Sequence, residues 1–271
     1  METSSLHRIL ETFRGGPPLV VAFSGGVDSS LLLAAAAEVL DDVVAVTCVS
    51  PLVPAREMEQ ARAFCEAKGI RHDLVTVPVL EDGDIAANPP RRCYHCKRLH
   101  LSAILDHAEA NSLGPVVHGD NVDDAEDHRP GHKAADELGV RAPLAEAGYT
   151  KDDVRAMARD MGLAVHDKPA AACLATRIPH GTLLTSEILS AVEKAEDLLH
   201  DTGFRHCRVR HHGTVARIEV PPEDIGKLAS HPERIRLVEA FRELGFAHVS
   251  LDLLGYETGR MNLELRDTEA K

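Results

Sequence analysis

Ser24-Gly-Gly-Val-Asp-Ser-Ser30 is the stretch that determines the fold, because it joins a predicted strand to a predicted helix. The preceding residues, Leu19–Phe23, are all apolar, as is typical of a strand in a parallel sheet covered on both faces. The following residues predict a helix over Asp28–Leu40. Two glycines permit a tight turn, and the N–H groups of the helix N-terminus can bind an anion together with the serine hydroxyls. We therefore expect a phosphate-binding loop.

The alternation of strand and helix continues after this loop. The pattern predicts two further strands, Val43–Val49 and one near His72–Val77, separated by a helix over Ala55–Lys68. A helix over Cys93–Ala110 and a strand at Pro115–Gly119 follow. Repeated β-α-β units predict an α/β fold built on a doubly wound parallel sheet.

A second, smaller domain is expected after an irregular connection. The stretch Asp167–Gly181 contains two prolines and no clear period, so we place the domain boundary there, with domains at residues 1–172 and 173–271. Beyond it the order is helix, two strands, two helices and a strand, which predicts an α+β domain with a ferredoxin-like arrangement. The elements are expected at Ser186–Asp201, His206–His211, Thr214–Val220, Pro222–Leu244 (two helices) and His248–Leu253.

Composition limits the class of protein. The chain has 271 residues, of which 44% are hydrophobic, and a formal net charge of −13. This acidity argues against a protein that wraps nucleic acid, since backbone binding depends on Lys and Arg. No apolar run approaches the roughly 18 to 20 residues that span a bilayer, and Met1–Arg14 lacks the features of a secretory signal. We expect a cytoplasmic protein with no membrane association and no stable nucleic acid partner.

The loop lacks the Lys of a Walker A motif and instead resembles the PP-loop of the ATP pyrophosphatases, which have the adenine nucleotide alpha hydrolase-like fold. The resemblance implies cleavage of ATP between its α and β phosphates, with Asp28 placing Mg²⁺ on the pyrophosphate. Asp123 and Asp124 are further Mg²⁺ candidates, with a solvated acidic loop as the alternative. The nucleotide-binding residues would be Ser24, Gly25, Gly26, Val27, Asp28, Ser29 and Ser30.

Three of the six cysteines stand in reactive contexts. Cys93 and Cys96 are three residues apart at the start of a predicted helix, so they share one face. The helix N-terminus and four nearby cations favour thiolate at this pair. Cys173 lies in the irregular connection, where a loop cysteine is placed for reaction. The four cations are Arg91, Arg92, Lys97 and Arg98.

These thiols admit several interpretations. Three thiolates can hold three irons of a [4Fe–4S] cluster and leave the fourth iron open to an extra sulfide. A zinc site would need a fourth ligand, such as His95. The thiols could also act separately in redox or nucleophilic chemistry, or be inert. Cys48, Cys65 and Cys207 fall in or near predicted strands or a helix and are expected to be buried.

Arg208-Val-Arg-His-His212 alternates, so Arg208, Arg210 and His212 should share one face of a strand. Two adjacent guanidinium groups suit bidentate phosphate binding. A solvated strand face is the alternative. His211 and His212 point to opposite faces, so they cannot share one metal ion on a regular strand.

The combination of motifs resembles the LarE family of sulfur transferases, over nearly the whole chain. The family makes the organic part of the nickel-pincer nucleotide cofactor: ATP adenylates a pyridinium carboxylate, and sulfur then displaces AMP to give a thiocarboxylate. The segments that carry the resemblance are Ser24–Ser30, Pro89-Pro-Arg-Arg-Cys-Tyr-His-Cys-Lys97, Gly119-Asp-Asn-Val-Asp-Asp-Ala-Glu-Asp-His-Arg-Pro-Gly131, Cys173–Gly181, Arg208-Val-Arg-His-His-Gly213, Ala216-Arg-Ile-Glu-Val220 and Leu253-Leu-Gly-Tyr256.

The resemblance implies two routes for sulfur. In one version of the family the cysteine matching Cys173 gives up its own sulfur and becomes dehydroalanine. In the other, three cysteines bind a cluster that passes on a sulfide. Because this chain has Cys93 and Cys96 as well as Cys173, it resembles the cluster type. The resemblance also implies ATP and Mg²⁺ as cofactors, a sulfide donor and a homo-oligomer, expected to be a hexamer.

The substrate implied by the resemblance is a small mononucleotide. Arg208 and Arg210 would hold its phosphate, and Arg177 would contact a phosphate too. Tyr94 would stack on the pyridinium ring, and Glu196 would assist.

One segment departs from the family pattern. The family commonly has Gly-Tyr-Arg where this chain has Gly255-Tyr-Glu-Thr-Gly-Arg260. Glu257 cannot hold a phosphate as Arg does, so either Arg260 reaches that place or the chain binds its substrate differently from the better-known members.

Three further classes of protein use parts of the same pattern. A tRNA thiolase combines a PP-loop with cysteines, but it should carry a basic RNA-binding surface. An ammonia-using ligase needs the PP-loop but not the three thiols. A module that binds a metal or a nucleotide without catalysis would form neither AMP nor pyrophosphate.

Overall fold

The computed structural model describes residues 5–126, 130–169 and 172–257. The chain divides into two compact units, the first made of Met1–Ile85 and Pro90–Ala171, the second of Ala86–Pro89 and Ala172–Lys271. Assigning separate functions to the two parts of the chain remains a prediction. Among the described residues, no helix combines the length and the apolar character needed to cross a membrane.

The first unit is built on a parallel four-stranded sheet of order β3-β2-β1-β4 with helices around it, which confirms the predicted α/β fold. In register, Leu19 of β1 pairs with Val43 of β2, and Val20 of β1 pairs with Val116 of β4. The elements up to α5 are α1 Ser5–Phe13, β1 Leu19–Ala22, α2 Val27–Val39, β2 Val43–Val49, α3 Ala55–Lys68, β3 Arg71–Thr76, α4 Gly83–Ala86 and α5 Arg92–Ala110. They are followed by β4 Val116–His118, α6 Val122–Glu126, α7 Pro130–Glu137, α8 Pro143–Glu146 and α9 Lys151–Asp160.

The strand order determines where a ligand can bind. The connections of the sheet run in opposite directions from β1, towards β2 on one side and β4 on the other. Ligands of open α/β sheets bind outside the carboxyl ends of the strands at such a switch point. The carboxyl ends of β1 and β4 lead into Ser24–Ser30 and Gly119–Asp124, so the structure brings these two segments to the same edge.

Helix α2 anchors this edge. It is apolar all round, as expected of a helix buried on every side. Leu31, Leu32 and Leu33 are fully buried, and the run of alanines that follows lets α1 and α9 pack close. The N-terminus of α9 has a capping box, because Thr150 Oγ1 accepts from Asp153 N at 3.2 Å and Asp153 Oδ2 accepts from Thr150 N at 3.0 Å.

The second unit has its own three-stranded sheet and core. β5 pairs antiparallel with β6, and β7 pairs parallel with β6. The expected ferredoxin-like arrangement is wrong for the described strands, because β6 and β7 are neighbours, whereas a split β-α-β unit would place a strand between them. The elements are a 3₁₀ turn Leu174–Arg177, α10 Ser186–Asp201, β5 Arg208–His212, β6 Val215–Glu219, α11 Pro222–Ala229, α12 Arg234–Glu243 and β7 His248–Leu251.

We expect Gly114→Ala to lower the free energy of unfolding by about 3 kcal/mol or more, at the upper end of overpacking costs. A Cβ at Gly114 would lie 1.7 Å from the carbonyl oxygen of Pro18, which is backbone and cannot rotate away. Gly83→Ala is the matched control, because a Cβ there meets nothing within 4 Å. Urea titration checks both variants; equal stability of the two would contradict the packing described for Gly114.

Candidate functional site

The loop Ser24–Ser30 is held by its own hydrogen bonds. Gly26 N donates to Ser24 Oγ at 3.3 Å, and the hydroxyls of Ser24 and Ser29 are 3.1 Å apart. Gly25 has a φ of +71°, and a Cβ there would lie 3.2 Å from the Cβ of Ala61. Only glycine therefore fits this turn without strain.

Ser30 provides independent evidence for a polar ligand at this loop. Its side chain is fully buried at the first turn of α2, and its hydroxyl has no hydrogen-bond partner among the described residues. Buried polar groups are almost always hydrogen-bonded in native proteins. The unpaired hydroxyl and the first N–H groups of α2 together fit a phosphate.

The segment after β4 meets Asp28. Asn121 Nδ2 donates to Asp28 Oδ1 at 2.9 Å, and Asn121 N donates to Asp124 Oδ2 at 3.2 Å. Asn121 therefore donates hydrogen bonds to the carboxylates of both Asp28 and Asp124. Asp123 is used differently, because its carboxylate accepts from Lys151 N at 2.8 Å, at the start of α9. Of the two predicted acidic candidates, Asp124 is linked to Asp28 through Asn121, and Asp123 is linked to it through Lys151.

Two lysines that the sequence did not identify flank the loop. Lys151 Nζ contacts Asp28 Oδ2 at 2.5 Å. Lys168 Nζ donates to the carbonyl oxygen of Gly25 at 3.1 Å and pairs with Glu57 at 2.7 Å. Both lie far along the chain from the glycines, so no local motif revealed them. In the structure each ammonium is paired with a carboxylate, Lys151 with Asp28 and Lys168 with Glu57.

Gly119 is a further residue of the site that the sequence did not identify. A Cβ at this position would lie 2.8 Å from Ser29 N, so the end of β4 is in direct contact with the first turn of α2. A glycine directly after a buried strand is the signal that could have identified it.

The six cysteines fall into two groups according to their exposure. Cys93 is exposed, and Cys96 and Cys173 are half-buried. The remaining three are buried, and burial raises the pKa of the Cys48 and Cys65 thiols to about 12. This division matches the predicted division between reactive and buried cysteines. Within the described ranges, no three His, Cys, Asp or Glu side chains form a ready metal site.

The turn that carries Cys93 and Cys96 is the start of α5. Arg92 Nη2 lies 4.0 Å from Cys93 Sγ, and Cys96 Sγ lies 3.9 Å from His100 Nε2. Burial lowers the pKa of His100 to about 4, so that imidazole is neutral at pH 7. Tyr94 is half-buried, and its hydroxyl donates to Glu137 of α7 at 2.5 Å.

Arg177 and Glu196 of the second unit form a buried, bidentate ion pair. Arg177 Nε and Nη2 donate to the two Glu196 oxygens at 2.9 and 3.0 Å, and Glu196 also accepts from Val209 N at 3.0 Å. Burial acts to lower the pKa of Arg177, but the charge of Glu196 outweighs it and raises that pKa. Arg177 Nη1 donates to the carbonyl oxygens of Ala172 and Cys173 at 2.8 and 3.2 Å. The pair therefore holds the backbone at Cys173.

Arg208 and Arg210 have different surroundings. Arg210 is buried, pairs with the fully buried Glu219 at 2.6 Å, and donates to Thr176 O at 3.0 Å. Arg208 is half-buried and forms no ion pair within the part of the chain that the structure describes; its guanidinium lies 5.2 Å from the centre of the Tyr256 ring. Burial, and next the charge of Arg177, lower the pKa of Arg208. Arg208 is thus the arginine available to an anion.

Arg260 lies outside the described residues, so its predicted role stays a prediction.

Comparison with known proteins identifies relatives of the whole chain. Residues 18–87 match the family model of the queuosine biosynthesis protein QueC. An uncharacterised protein of Synechocystis is 40% identical over 97% of this chain and 98% of its own. The pyridinium-3,5-bisthiocarboxylic acid mononucleotide synthase of Lactiplantibacillus plantarum is 39% identical over 90% of this chain and 88% of its own. A tRNA-specific 2-thiouridylase of Paenarthrobacter aurescens is 29% identical over 56% of this chain and 50% of its own.

Iodoacetamide at pH 8 should modify Cys93, Cys96 and Cys173 of the folded protein at least about 100-fold faster than Cys48 and Cys65, because only about one in 10⁴ of thiols with a pKa near 12 is then ionised. Since burial raises these two pKa values, the difference should shrink as the pH rises towards 12. Peptide mass spectrometry measures the rates. In guanidinium chloride all six cysteines should react alike; fast modification of Cys48 in the folded protein would refute the assignment.

Proposed function

The chain belongs to the LarE family of pyridinium-3,5-bisthiocarboxylic acid mononucleotide synthases, and from this membership we propose that it converts a carboxylate of a pyridinium dicarboxylate mononucleotide into a thiocarboxylate. It is an ATP-dependent sulfur transferase with a PP-loop. The match to the tRNA thiouridylase covers only about half of either chain, and the net charge of −13 does not favour an RNA substrate.

The observation that carries the proposal is the loop at the start of α2, where the Ser30 hydroxyl is buried and has no hydrogen-bond partner among the described residues. ATP would place its phosphates against this turn. A carboxylate oxygen of the substrate attacks the α-phosphorus, the bond from that phosphorus to the bridging oxygen breaks, and pyrophosphate leaves. Lys151 and Lys168 would stabilise the charge that develops on pyrophosphate by exchanging their carboxylate partners, Asp28 and Glu57, for phosphate oxygens.

Asp28 and Asp124 fit Mg²⁺, because both are carboxylates held by Asn121 beside the predicted phosphate position. When bound, Mg²⁺ would neutralise charge on the leaving pyrophosphate. Lys151 pairs with the same Asp28 carboxylate, so its ammonium is placed to move from that carboxylate to the phosphates.

For the substrate, we assign the nucleotide phosphate to Arg208, since its guanidinium has no carboxylate partner in the described ranges. Arg177, Glu196 and Arg210 then support this position rather than bind alone, because their charges are already paired or buried. Tyr94 keeps its proposed role of stacking on the pyridinium ring, which its half-buried ring and tied hydroxyl permit.

Sulfur completes the reaction. A sulfide nucleophile attacks the carbon of the acyl adenylate, the bond from that carbon to the AMP oxygen breaks, and AMP leaves with the electron pair. Cys93, Cys96 and Cys173 fit a [4Fe–4S] cluster by donor chemistry, since they are the three accessible thiols of the chain. Such a cluster would supply a bound sulfide. Without it, the Cys173 sulfur would displace AMP to form a thioester, and loss of the Cys173 Cα proton with cleavage of its Cβ–S bond would release the thiocarboxylate and leave dehydroalanine. A sulfide donor, a hexameric assembly and a cytoplasmic location belong to the same proposal.

Asp28→Asn should lower pyrophosphate release about 100-fold, the loss typical of removing a preorganised charge from an active site.

Cys173→Ala should keep single-turnover pyrophosphate release and lose thiocarboxylate, since the hydrogen bonds of Cys173 to Thr176 and Arg177 use its carbonyl oxygen. Labelled ATP and mass spectrometry of the mononucleotide check both. Full thiocarboxylate formation by Cys173→Ala would overturn the proposed sulfur route.

Anaerobic purification should give about four irons and four acid-labile sulfides per chain, with a visible absorption band that is lost in Cys93→Ala, Cys96→Ala and Cys173→Ala. Cys207→Ala is the control and should keep the band, because Cys207 is buried. If anaerobic reconstitution incorporates no iron, the cluster is wrong. Cys173 should then become dehydroalanine once per chain.

A further inference from the structure

Three consecutive residues, Gly119, Asp120 and Asn121, connect the ATP loop to the helix that carries Cys93 and Cys96. On one side, Gly119 packs against Ser29 N and Asn121 donates to Asp28. On the other side, Asp120 Oδ2 accepts from Lys97 Nζ of α5 at 2.5 Å. The side chain of Asp120 thus faces away from the ATP loop while its two neighbours contact that loop.

Asp120 is surrounded by groups that can carry positive charge. His118 Nδ1 lies 3.1 Å from Oδ1, and His132 Nδ1 lies 3.3 Å from Oδ2. Burial alone would raise the pKa of the Asp120 carboxyl, but the hydrogen bond with His118 and the charge of Lys97 lower it far below its ordinary value. The carboxylate is therefore ionised over the working pH range, and the proposed adenylation and sulfur steps do not use it.

Lys97 is tied into the turn of α5 that holds the thiols. It follows Cys96 directly and lies four residues, about one helical turn, after Cys93. A Cβ on Gly131 would lie 3.2 Å from Lys97 Cδ and 3.5 Å from Cys93 O, so α7 packs closely on this turn. The Lys97 side chain thus packs against α7 along its length. Its ammonium group is held in place by the ion pair with Asp120.

We propose that Asp120 is a positioning residue that keeps the Cys93–Cys96 turn in register with the ATP loop through its ion pair with Lys97. The proposal rests on the proposed role of these thiols in sulfur delivery. Asp120 is bonded to both residues that contact the ATP loop, and its carboxylate holds Lys97 at 2.5 Å. A displacement of Gly119 or Asn121 on ATP binding would therefore move Asp120 and, through the ion pair, Lys97. The reactivity of the Cys93 and Cys96 thiols then depends on whether a nucleotide is bound at the ATP loop.

The test measures alkylation of Cys93 and Cys96 in the iron-free full chain, with and without α,β-methylene-ATP and Mg²⁺. In the wild type the nucleotide should change these rates about threefold or more. In Asp120→Asn and in Lys97→Met the analogue should bind with an affinity within about twofold of wild type, and the change in rates should disappear. The double variant should match either single variant, because both remove the same ion pair.

Glu137→Gln is the matched control, because it neutralises the carboxylate that Tyr94 contacts on the same turn, as Asp120→Asn neutralises the partner of Lys97, but leaves Lys97 and Asp120 paired. It should keep the nucleotide-dependent change. A wild type that shows no change, an Asp120→Asn variant that keeps the change, or a Glu137→Gln variant that loses it would each overturn the proposal. The labelling uses no mononucleotide substrate, so this result is independent of whether sulfur transfer itself is confirmed.

With substrate, Asp120→Asn should lower thiocarboxylate formation about tenfold, as losses of supporting residues often do. Pyrophosphate release should stay within about twofold of wild type. Asp120→Glu should restore part of the activity, because it keeps the charge that faces Lys97. Equal losses in both measured steps would instead mean that Asp120 acts only on adenylation or on the fold, and would overturn the proposal.

Discussion

The contact of Gly119 with the first turn of α2 is the constraint on which the first unit depends. Any side chain at Gly119 would meet Ser29 N at 2.8 Å, so the end of β4 can approach α2 only through glycine. This close approach allows the Asn121 side chain to donate a hydrogen bond to Asp28 and the Asp120 carboxylate to pair with Lys97. Helix α2 cannot yield to relieve the contact, because it is buried on all sides. One residue without a side chain thus sets the position of the loop carboxylates relative to the predicted phosphate site.

Local patterns predicted most of the elements. The predicted bounds of β2, α3 and α10 agree with the structure, because each is a complete apolar or amphipathic period ended by a clear break. The alternating sequence pattern also placed Arg208 and Arg210 on one strand. The burial of Arg210 against Glu219 could not be predicted in this way, because Glu219 lies on the neighbouring strand β6. Lys151 and Lys168 meet the loop through tertiary structure alone. The wrong expectation for the second unit has the same cause, since strand adjacency is set by long-range pairing.

In the second unit, buried ion pairs distinguish Arg177 and Arg210 from Arg208. Burying a charge without a partner is expensive, so Arg177 and Arg210 each require the carboxylate that they contact. Once paired, they lose most of their attraction for an anion but fix their surroundings. Arg177 holds the carbonyl oxygens of Ala172 and Cys173, and Arg210 holds that of Thr176. Arg208 is half-buried near Tyr256 and forms no ion pair with a carboxylate among the residues that the structure describes. This difference between the arginines is the reason for proposing Arg208 as the residue that binds the phosphate of the substrate.

Local charge, not overall charge, explains how an acidic chain can use anionic substrates. The net charge of −13 repels anions at long range, but screening at physiological ionic strength limits that repulsion to about 8 Å. Within that distance of the loop, Lys151 and Lys168 contact Asp28 and Gly25 directly, and the N-terminus of α2 adds its own partial positive charge. A nucleic acid backbone would need a continuous basic surface, whereas a mononucleotide and ATP each need only one confined cationic position. The charge distribution therefore favours small phosphorylated substrates over RNA, in agreement with the family to which the chain belongs.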